Sequence, residues 1–350
     1  LCQTYIAQYA RVRTFEKAQP ACEALIGMQP PLFEVRLALG RYYRETGQLD
    51  FAITELIAAV EQNQASAEAY VQLARAYSAR YDLKKNETDK GQAQLLFLRA
   101  IEAEPDYWGT YHTYATYLSS YGDHEQAEAQ LQHAVSLQPQ SMPSLNNLAN
   151  IQFKQGKSDL AEATWRRSLS IDNNNVYAHS GLATLLQYRG QTELSIQHLE
   201  KAVQLSPADH RGLGRLAEAL TVAGEQQRAR SIFVMAIDLA EGQLKVNADK
   251  WQTLGFLGLY YAHLDDHDTA ARYITRMFSL NATRDPLTHY WAGIVAVKRG
   301  DIETAFEEVE QALARGFGEQ PHFITAEPAL AVLSESNPTR FNDLIEKYRQ

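Results

Sequence analysis

A pattern of large and small residues recurs about every 34 residues along most of this 350-residue chain. In each copy a large side chain is followed directly by a small one. These pairs are Leu39-Gly40, Leu73-Ala74, Tyr114-Ala115, Leu148-Ala149, Leu182-Ala183, Leu216-Ala217, Leu257-Gly258 and Ala292-Gly293, where Ala292 breaks the first half. Length alone would suggest two or three globular domains. A period of this length instead predicts one supersecondary unit per copy, and such units bury their apolar faces only by stacking on their neighbours.

Each copy has the features of two helices joined by a tight turn. Large and small residues recur at helical spacing, a turn glycine stands between the two faces, and a proline follows several second helices. The turn glycines are Gly47, Gly122, Gly156, Gly190, Gly224 and Gly300, and the closing prolines are Pro105, Pro139 and Pro207. We therefore predict helical hairpins that begin at Phe33, Ala67, Trp108, Met142, Val176, His210, Trp251 and Pro286.

This order of large, small, glycine, small, bulky, small and proline residues resembles the tetratricopeptide repeat. The resemblance implies an all-α fold, a right-handed superhelix of about eight helix-turn-helix units with atypical capping ends. We expect an atypical helical unit over residues 1–32, the repeat array over 33–315 and capping helices over 316–350.

Two copies carry seven extra residues each. The charged stretch from Arg80 to Lys90 predicts a lengthened helix-turn region that projects from one edge, either as a solvated loop or as a loop that docks a partner. The stretch from Glu241 to Lys250 is expected to extend the preceding helix.

Three short segments are similar to a narrower setting. They are the opening stretch from Leu1-Cys2 to Cys22, the join from Pro105 to Trp108, and the run from Gly316 to Phe341. They resemble tetratricopeptide regions that follow a catalytic or sensor domain in bacterial signalling proteins, such as serine/threonine kinases and nucleotide cyclases. This resemblance implies a regulatory array whose enzyme would precede Leu1, in keeping with a chain that begins without methionine.

Charge and cysteine content narrow the classes of partner. The chain has 33 basic and 42 acidic residues, a net charge of −9, so it lacks the broad positive field of a nucleic-acid binder.

Its two cysteines cannot form a disulfide framework, which favours a reducing compartment such as the cytoplasm. No apolar stretch approaches the ~20 residues needed to span a bilayer, so we expect no membrane insertion.

Polar and basic side chains are predicted to face the inner groove in the first six copies. They are Arg41, Arg44, Arg75, His112, Thr116, Asn146, Asn147, Asn150, Tyr177, Thr184, Arg211 and Arg215. The last two copies offer apolar residues instead, namely Phe256, Leu259, Tyr290, Trp291 and Ile294. Because Asn amides can bond to the backbone of a peptide and Arg can grip a carboxylate, we predict a protein or peptide partner with acidic groups near the arginines.

Each of these groups has an alternative interpretation. The asparagines could be merely solvated, and the arginines could be neutralised by Glu34, Glu68 or Glu218 nearby. The apolar residues could pack against the C-terminal capping helix rather than form an exposed docking site, and packing is the favoured interpretation.

Motifs for catalysis are scarce. His263 and His267 have the i, i+4 spacing of a zinc pair, but the pair straddles the turn between two helices. Gly212 and Gly214 lie in a helix register with no preceding strand, so they do not form a phosphate loop. We therefore expect no catalytic residue, no metal site and no cofactor.

The sequence thus predicts a non-catalytic scaffold or regulatory array that binds a partner segment in its concave groove. Two alternatives stay open: the chain could be the interaction region of a larger bacterial kinase or cyclase, or a self-assembly module that oligomerises through its ends.

Overall fold

The computed structural model describes residues 32–280, 285–317, 324 and 327–348. Within these residues the fold is all helical, without a strand, which confirms the predicted all-α solenoid class. The predicted N-terminal unit, residues 1–32, lies outside the described residues except for Leu32. The helices are α1 (Phe33–Glu45), α2 (Leu49–Gln62), α3 (Ala67–Lys84), α4 (Glu87–Ala103), α5 (Trp108–Ser120), α6 (His124–Leu137), α7 (Met142–Lys154), α8 (Ser158–Ile171), α9 (Val176–Tyr188), α10 (Thr192–Leu205), α11 (His210–Val222), α12 (Gln226–Val246), α13 (Trp251–His263), α14 (His267–Ser279), α15 (Pro286–Arg299), α16 (Ile302–Ala314), α17 (Ala331–Ser336) and α18 (Pro338–Lys347).

All eight predicted repeats begin at the first residue of a helix, from Phe33 of α1 to Pro286 of α15. Side-chain caps explain several of these starts. Ser66 accepts a hydrogen bond from the backbone of Ala69, and Asp209 and Asp285 cap α11 and α15 in the same way. Such caps satisfy backbone N–H groups that the first turn of a helix leaves without partners.

The turns between paired helices require a left-handed backbone. The six turn glycines have φ between 70° and 83°, a region that costs glycine little because it lacks a Cβ atom. The seventh turn has no glycine, and Asp265 adopts φ 66° there. Aspartate is among the few residues that tolerate this conformation, so the loop keeps the same geometry.

The chain divides into two compact units, the first ending at Ile151 and the second beginning at Gln152, within α7. In the first unit, Phe97 and Leu131 are buried together with residues of α3, α5 and α7. In the second unit, Phe233, Tyr260 and Trp291 belong to one continuous core that extends to α18.

The charged insertion in the second repeat is helical rather than a loop. It lengthens α3 to 18 residues and α4 to 17, with Lys85 in the left-handed conformation between them. Arg80 donates to both oxygens of Asp89, at 2.8 and 2.7 Å, and to Asp50 at 2.7 Å. The predicted lengthening of the two helices is therefore observed. The stretch from Arg80 to Lys90 forms helical turns and not a long solvated loop.

The second insertion and the C-terminal end follow the sequence pattern. Helix α12 has 21 residues and runs to Val246, so the extra residues extend it as expected. At the end of the chain, Asn337 caps α18 through the backbone N–H of Arg340, and Pro338 is the first helical residue. Leu330, Leu333 and Phe341 are buried and cover the last hairpin.

Candidate functional site

The predicted groove residues lie on the first helices of successive hairpins, in both units. Arg41 and Arg44 lie on α1, Arg75 on α3 and His112 on α5 of the first unit. Tyr177, Thr184, Arg211 and Arg215 lie on α9 and α11 of the second unit. The two groups are therefore two separate candidate sites.

Three arginines of the first unit lie close together but have different partners. Arg41 pairs with Glu68, as the alternative interpretation expected, and Arg44 pairs with its chain neighbour Glu45 at 2.7 Å. Arg75 has no hydrogen bond or ion pair with any other residue that the structure describes. The nearby charge of Glu45 acts on Arg75 without forming an ion pair with it, so the donors of the Arg75 guanidinium are available to a ligand.

Burial and the charges of neighbouring arginines lower the pKa values of Arg41 and Arg44. Burial, followed by the charge of Arg75, lowers the pKa of Arg44 to about 10 and also lowers the pKa of Arg41. Burial lowers the pKa of Arg75 itself. All three stay positive at neutral pH; Arg41 and Arg44 are half-buried, whereas the Arg75 side chain is exposed and open to a ligand.

A pocket of about 440 Å³ opens beside this cluster, within the size range of ligand pockets. Arg44, Arg75 and His112 line it together with Thr116 and Asp82. Burial lowers the pKa of His112, so its ring is neutral at pH 7, and its Nδ1 atom lies 3.2 Å from the Ser144 hydroxyl. His112 thus contributes a polar wall rather than a charge, and Thr116 donates its own hydroxyl to the carbonyl of His112.

The three asparagines of α7 are not equivalent. Asn146 is buried, at 7% exposure, so its side chain belongs to the core and not to an open groove surface. Asn147 is half-buried and Asn150 is exposed, and neither amide has a partner among the described residues. Only the latter two can offer hydrogen bonds to a bound segment.

The arginines of the second unit are engaged within the protein. Arg215 donates to the carbonyl of Ser180 at 2.9 Å and to the Thr184 hydroxyl, while Arg211 pairs with Asp209 at 3.0 Å. Tyr177 is 76% exposed and is open to solvent. The sequence pattern could not distinguish these arginines from Arg75, because the distinction depends on neighbours in other helices.

Residues of the last copies form packed contacts instead of an exposed docking surface. Leu259, Trp291 and Ile294 are each 5% exposed. Phe256 packs on Trp291 with their ring centroids 4.9 Å apart. Tyr290 stacks on Phe317 at 4.7 Å, and its hydroxyl donates to Glu327 at 2.8 Å. Tyr290 therefore packs on the C-terminal segment, which was the favoured interpretation. Trp291 instead packs on Phe256 of the preceding hairpin.

A second pocket, of about 460 Å³, lies in the second unit and was not predicted. Its lining includes Thr184, Glu218 and Tyr290 from first helices, and Glu327 from the C-terminal segment. Burial, then the nearby charge of Glu327, raises the pKa of Glu218 to about 8. The sequence gives no signal for this pocket, because it depends on the segment around Glu327 returning to the first helices.

The histidines considered as a zinc pair are separated by the turn between α13 and α14. His263 ends α13 and stacks on Phe233 with ring centroids 4.7 Å apart, while His267 begins α14. The described residues contain no group of three or more His, Cys, Asp or Glu side chains placed to hold a metal ion. No helix in the described ranges is long and apolar enough to cross a membrane.

Comparisons with known proteins agree with this repeat architecture. Tetratricopeptide repeat models match residues 96–129, 143–175 and 181–243. A search of curated proteins finds no significant match. A solved structure from a functional characterization of Pseudomonas aeruginosa pilF has 20% identity and a TM-score of 0.50, covering 62% of this chain and 95% of its own. The crystal structure of the APC/C hetero-tetramer Cut9-Hcn1 has 16% identity and a TM-score of 0.52, covering 96% of this chain and 60% of its own.

At these identities the solved structures show the fold alone, whereas the three model matches cover separate copies of the repeat. The helical hairpins, the spacing of their turns and these matches together show that the chain contains tetratricopeptide repeats, which indicate a scaffold for protein–protein interaction.

Proposed function

We propose that the first unit binds an extended, acidic segment of a partner protein, with a carboxylate of that segment placed at Arg75. The observation that carries this proposal is that Arg75 lines a pocket and forms no hydrogen bond or ion pair with a described residue, although the charge of Glu45 lies near it. A guanidinium can donate two parallel hydrogen bonds to a carboxylate, which gives both affinity and orientation.

The charges around Arg75 support an acidic ligand. Arg41 and Arg44 already form ion pairs with Glu68 and Glu45, whereas Arg75 feels the charge of Glu45 without pairing with it. A carboxylate at Arg75 would also relieve the repulsion that lowers the pKa of Arg44. Asp82 lines the same pocket and sets a limit, because it would repel a ligand with many negative charges.

Asn147 and Asn150 provide the second part of the proposed interaction. Their amides have both donors and acceptors and can bond to the backbone of an extended peptide without selecting its side chains. They lie on α7, two hairpins along the first unit from Arg75 on α3. An acidic side chain would therefore set the register, and the asparagines would hold the backbone.

In this proposal the chain binds without catalysis, in the cytoplasm, as the low cysteine content favours. The segments that resemble bacterial signalling proteins favour a regulatory array within a longer kinase or cyclase as the second candidate. An upstream catalytic domain in the full reading frame would support that candidate, and its absence would leave the free-standing scaffold.

The test is a titration of the protein with a labelled peptide of alternating Ala and Glu, beside a peptide in which every Glu is Gln. We expect the Glu peptide alone to bind, and Arg75→Gln to weaken it about tenfold or more, since a charged hydrogen bond contributes ~1.5–3 kcal/mol. Arg99→Gln is the matched control because Arg99 is exposed on α4 and pairs with Glu102. Equal binding of the two peptides, or full affinity of Arg75→Gln, would show that Arg75 does not read a carboxylate.

A further inference from the structure

The unpredicted pocket of the second unit combines flat aromatic walls with carboxyl groups. Tyr188 of α9, Tyr290 of α15 and Phe317 line it, and the last two rings are stacked with an interplanar angle of 16°. Glu218 of α11 and Glu327 of the C-terminal segment line the same space. At about 460 Å³ the pocket is large enough for a long side chain or a small ligand.

The two carboxyl groups differ in the hydrogen bonds that they accept from the described residues. Glu327 accepts hydrogen bonds from the Tyr290 hydroxyl at 2.8 Å and from the backbone of Ala329 at 3.1 Å. Glu218 forms no hydrogen bond or ion pair with any residue in the described part of the chain. Glu218 is half-buried and no partner offsets the hydration that its carboxyl group has lost, so it is the group in this pocket that gains most from a ligand.

Other titratable groups also face Glu218, and none of them forms an ion pair with it, although the charges of Arg215 and Lys298 oppose the increase in its pKa. Arg215, on the same helix, directs its guanidinium to Ser180 and Thr184 instead. Lys298 of α15 and His263 of α13 line the pocket, and burial lowers the pKa of His263 to about 4, so His263 is neutral at pH 7. Tyr260 and Tyr290 complete the titratable surroundings, and their pKa values are raised by burial.

We infer that this pocket binds an arginine side chain of a partner protein, with the guanidinium on the Glu218 carboxylate and its flat face against the aromatic rings. A guanidinium matches a carboxylate in shape and stacks on aromatic rings, and it loses less hydration than an ammonium group when it enters a partly closed pocket. Glu327, whose two oxygens already accept hydrogen bonds from Tyr290 and Ala329, adds negative charge beside the bound cation.

Binding of a cation at Glu218 is coupled to the loss of a proton. Because burial and the charge of Glu327 raise the pKa of Glu218 to about 8, the empty pocket holds this carboxyl group largely protonated at pH 7. The guanidinium binds the ionised form, so a proton must leave when it binds. The affinity should therefore increase about tenfold or more between pH 6.5 and pH 8.5, a range in which a free arginine side chain keeps its charge.

The experiment is a calorimetric titration of the whole chain with the peptide Ac-Gly-Arg-Gly-NH2 at pH 6.5, 7.5 and 8.5, beside the same peptide with citrulline in place of arginine. Citrulline has the same shape but no charge. We expect the arginine peptide to bind more tightly as the pH increases, with release of about 0.8 proton at pH 7.5. The citrulline peptide should bind at least tenfold more weakly.

Two variants separate the role of Glu218 from general effects. Glu218→Gln should remove both the preference for arginine and the pH dependence, while circular dichroism checks that it folds. Glu193→Gln makes the same chemical change at an exposed position of α10 and should bind like the unmodified protein. Arg75→Gln, in the other unit, should also bind the arginine peptide normally, so failure of the first proposal would not affect this one. Absent binding, equal binding of citrulline, or a pH dependence that persists in Glu218→Gln would overturn the inference.

Discussion

Gly181 shows how a single small residue permits two helices of neighbouring hairpins to meet. It lies on α9 where that helix passes the indole of Trp165 on α8, which is 1% exposed. A Cβ atom at position 181 would lie 2.2 Å from Cε2 of Trp165, closer than any contact between these atoms allows. The indole of Trp165 therefore fills the space that Gly181 leaves open, and a larger side chain at position 181 would displace it.

We predict that Gly181→Ala destabilises the protein by about 1–3 kcal/mol, because the added methyl group displaces Trp165 in a filled core. This cost exceeds the gain of about 1 kcal/mol that alanine brings to a helix interior. Urea unfolding followed by Trp fluorescence measures the change.

Gly242→Ala is the control, since Gly242 is a helical residue of α12 in the same unit and has no atom within 4 Å of the added Cβ. It should stabilise the protein by roughly 0.5–1 kcal/mol. Equal effects of the two substitutions would mean that the close approach of Gly181 to Trp165 is not the source of the cost.

Helices α3 and α4 show how an element can grow beyond the repeat without losing order. Their extra turns are joined by Arg80, which binds both oxygens of Asp89, and Asp89 is 2% exposed. The same guanidinium lies over the ring of Tyr77 at 5.2 Å from its centroid. The charged stretch predicted to lengthen the helix-turn region is thus held in helical form by an ion pair whose acidic member is buried.

We predict that Asp89→Asn destabilises the first unit by about 1–3 kcal/mol, because the amide cannot replace a bidentate, charged pair with Arg80. Faster hydrogen exchange at the ends of α3 and α4 and a lower urea midpoint would report this loss. Asp50→Asn removes the second carboxylate of Arg80, which is exposed, and should change stability much less. If Asp50→Asn were the more damaging change, the buried pair would not be what orders the extension.

At the scale of single helices, the sequence predicts much of the fold and little of the candidate site. The start of every hairpin, such as Ala67 and Val176, follows from local signals that act within one repeat: a cap, a period of apolar residues and a turn glycine. The availability of Arg75 and the engagement of Arg215 depend on residues about one repeat away, in neighbouring helices. Because the sequence pattern shows which helix face a residue occupies but not what opposes it there, the two arginines look alike until the structure is known.

At the scale of the whole molecule, the net charge of −9 is an average over surfaces of different character. Among the described residues, Arg75 of the first unit and Glu218 of the second form no ion pair, although opposite charges lie near both. Each pocket combines residues of successive hairpins, as stacking of repeats within a unit allows. The free energy of unfolding also depends on such local surroundings, because a buried titratable group makes the stability of the hairpins around it depend on pH.

His210 predicts how stability responds to acid. Its side chain is 2% exposed and lies 3.1 Å from the Tyr260 hydroxyl, which itself donates to the His210 carbonyl. Burial lowers the pKa of His210 from 6.5 to about 4, so in mild acid the unfolded chain binds this proton and the folded protein does not. Stability is therefore unaffected above pH ~6.5 and decreases as the pH decreases towards 4, by roughly 3 kcal/mol from this residue.

The measurement is the free energy of unfolding at pH 7, 6, 5 and 4, for the protein and for His210→Gln, which keeps a hydrogen-bonding side chain but does not titrate. Glu218 acts in the opposite direction between pH 4.5 and 8, because its pKa is raised in the folded protein, but its contribution is shared by both proteins and cancels in their difference. We therefore expect His210→Gln to be less stable at pH 7 and to lose less stability on acidification, so that the two curves converge towards pH 4. Parallel curves would mean that the His210 ring takes up its proton equally well in the folded core, and that acid destabilises this protein at another residue.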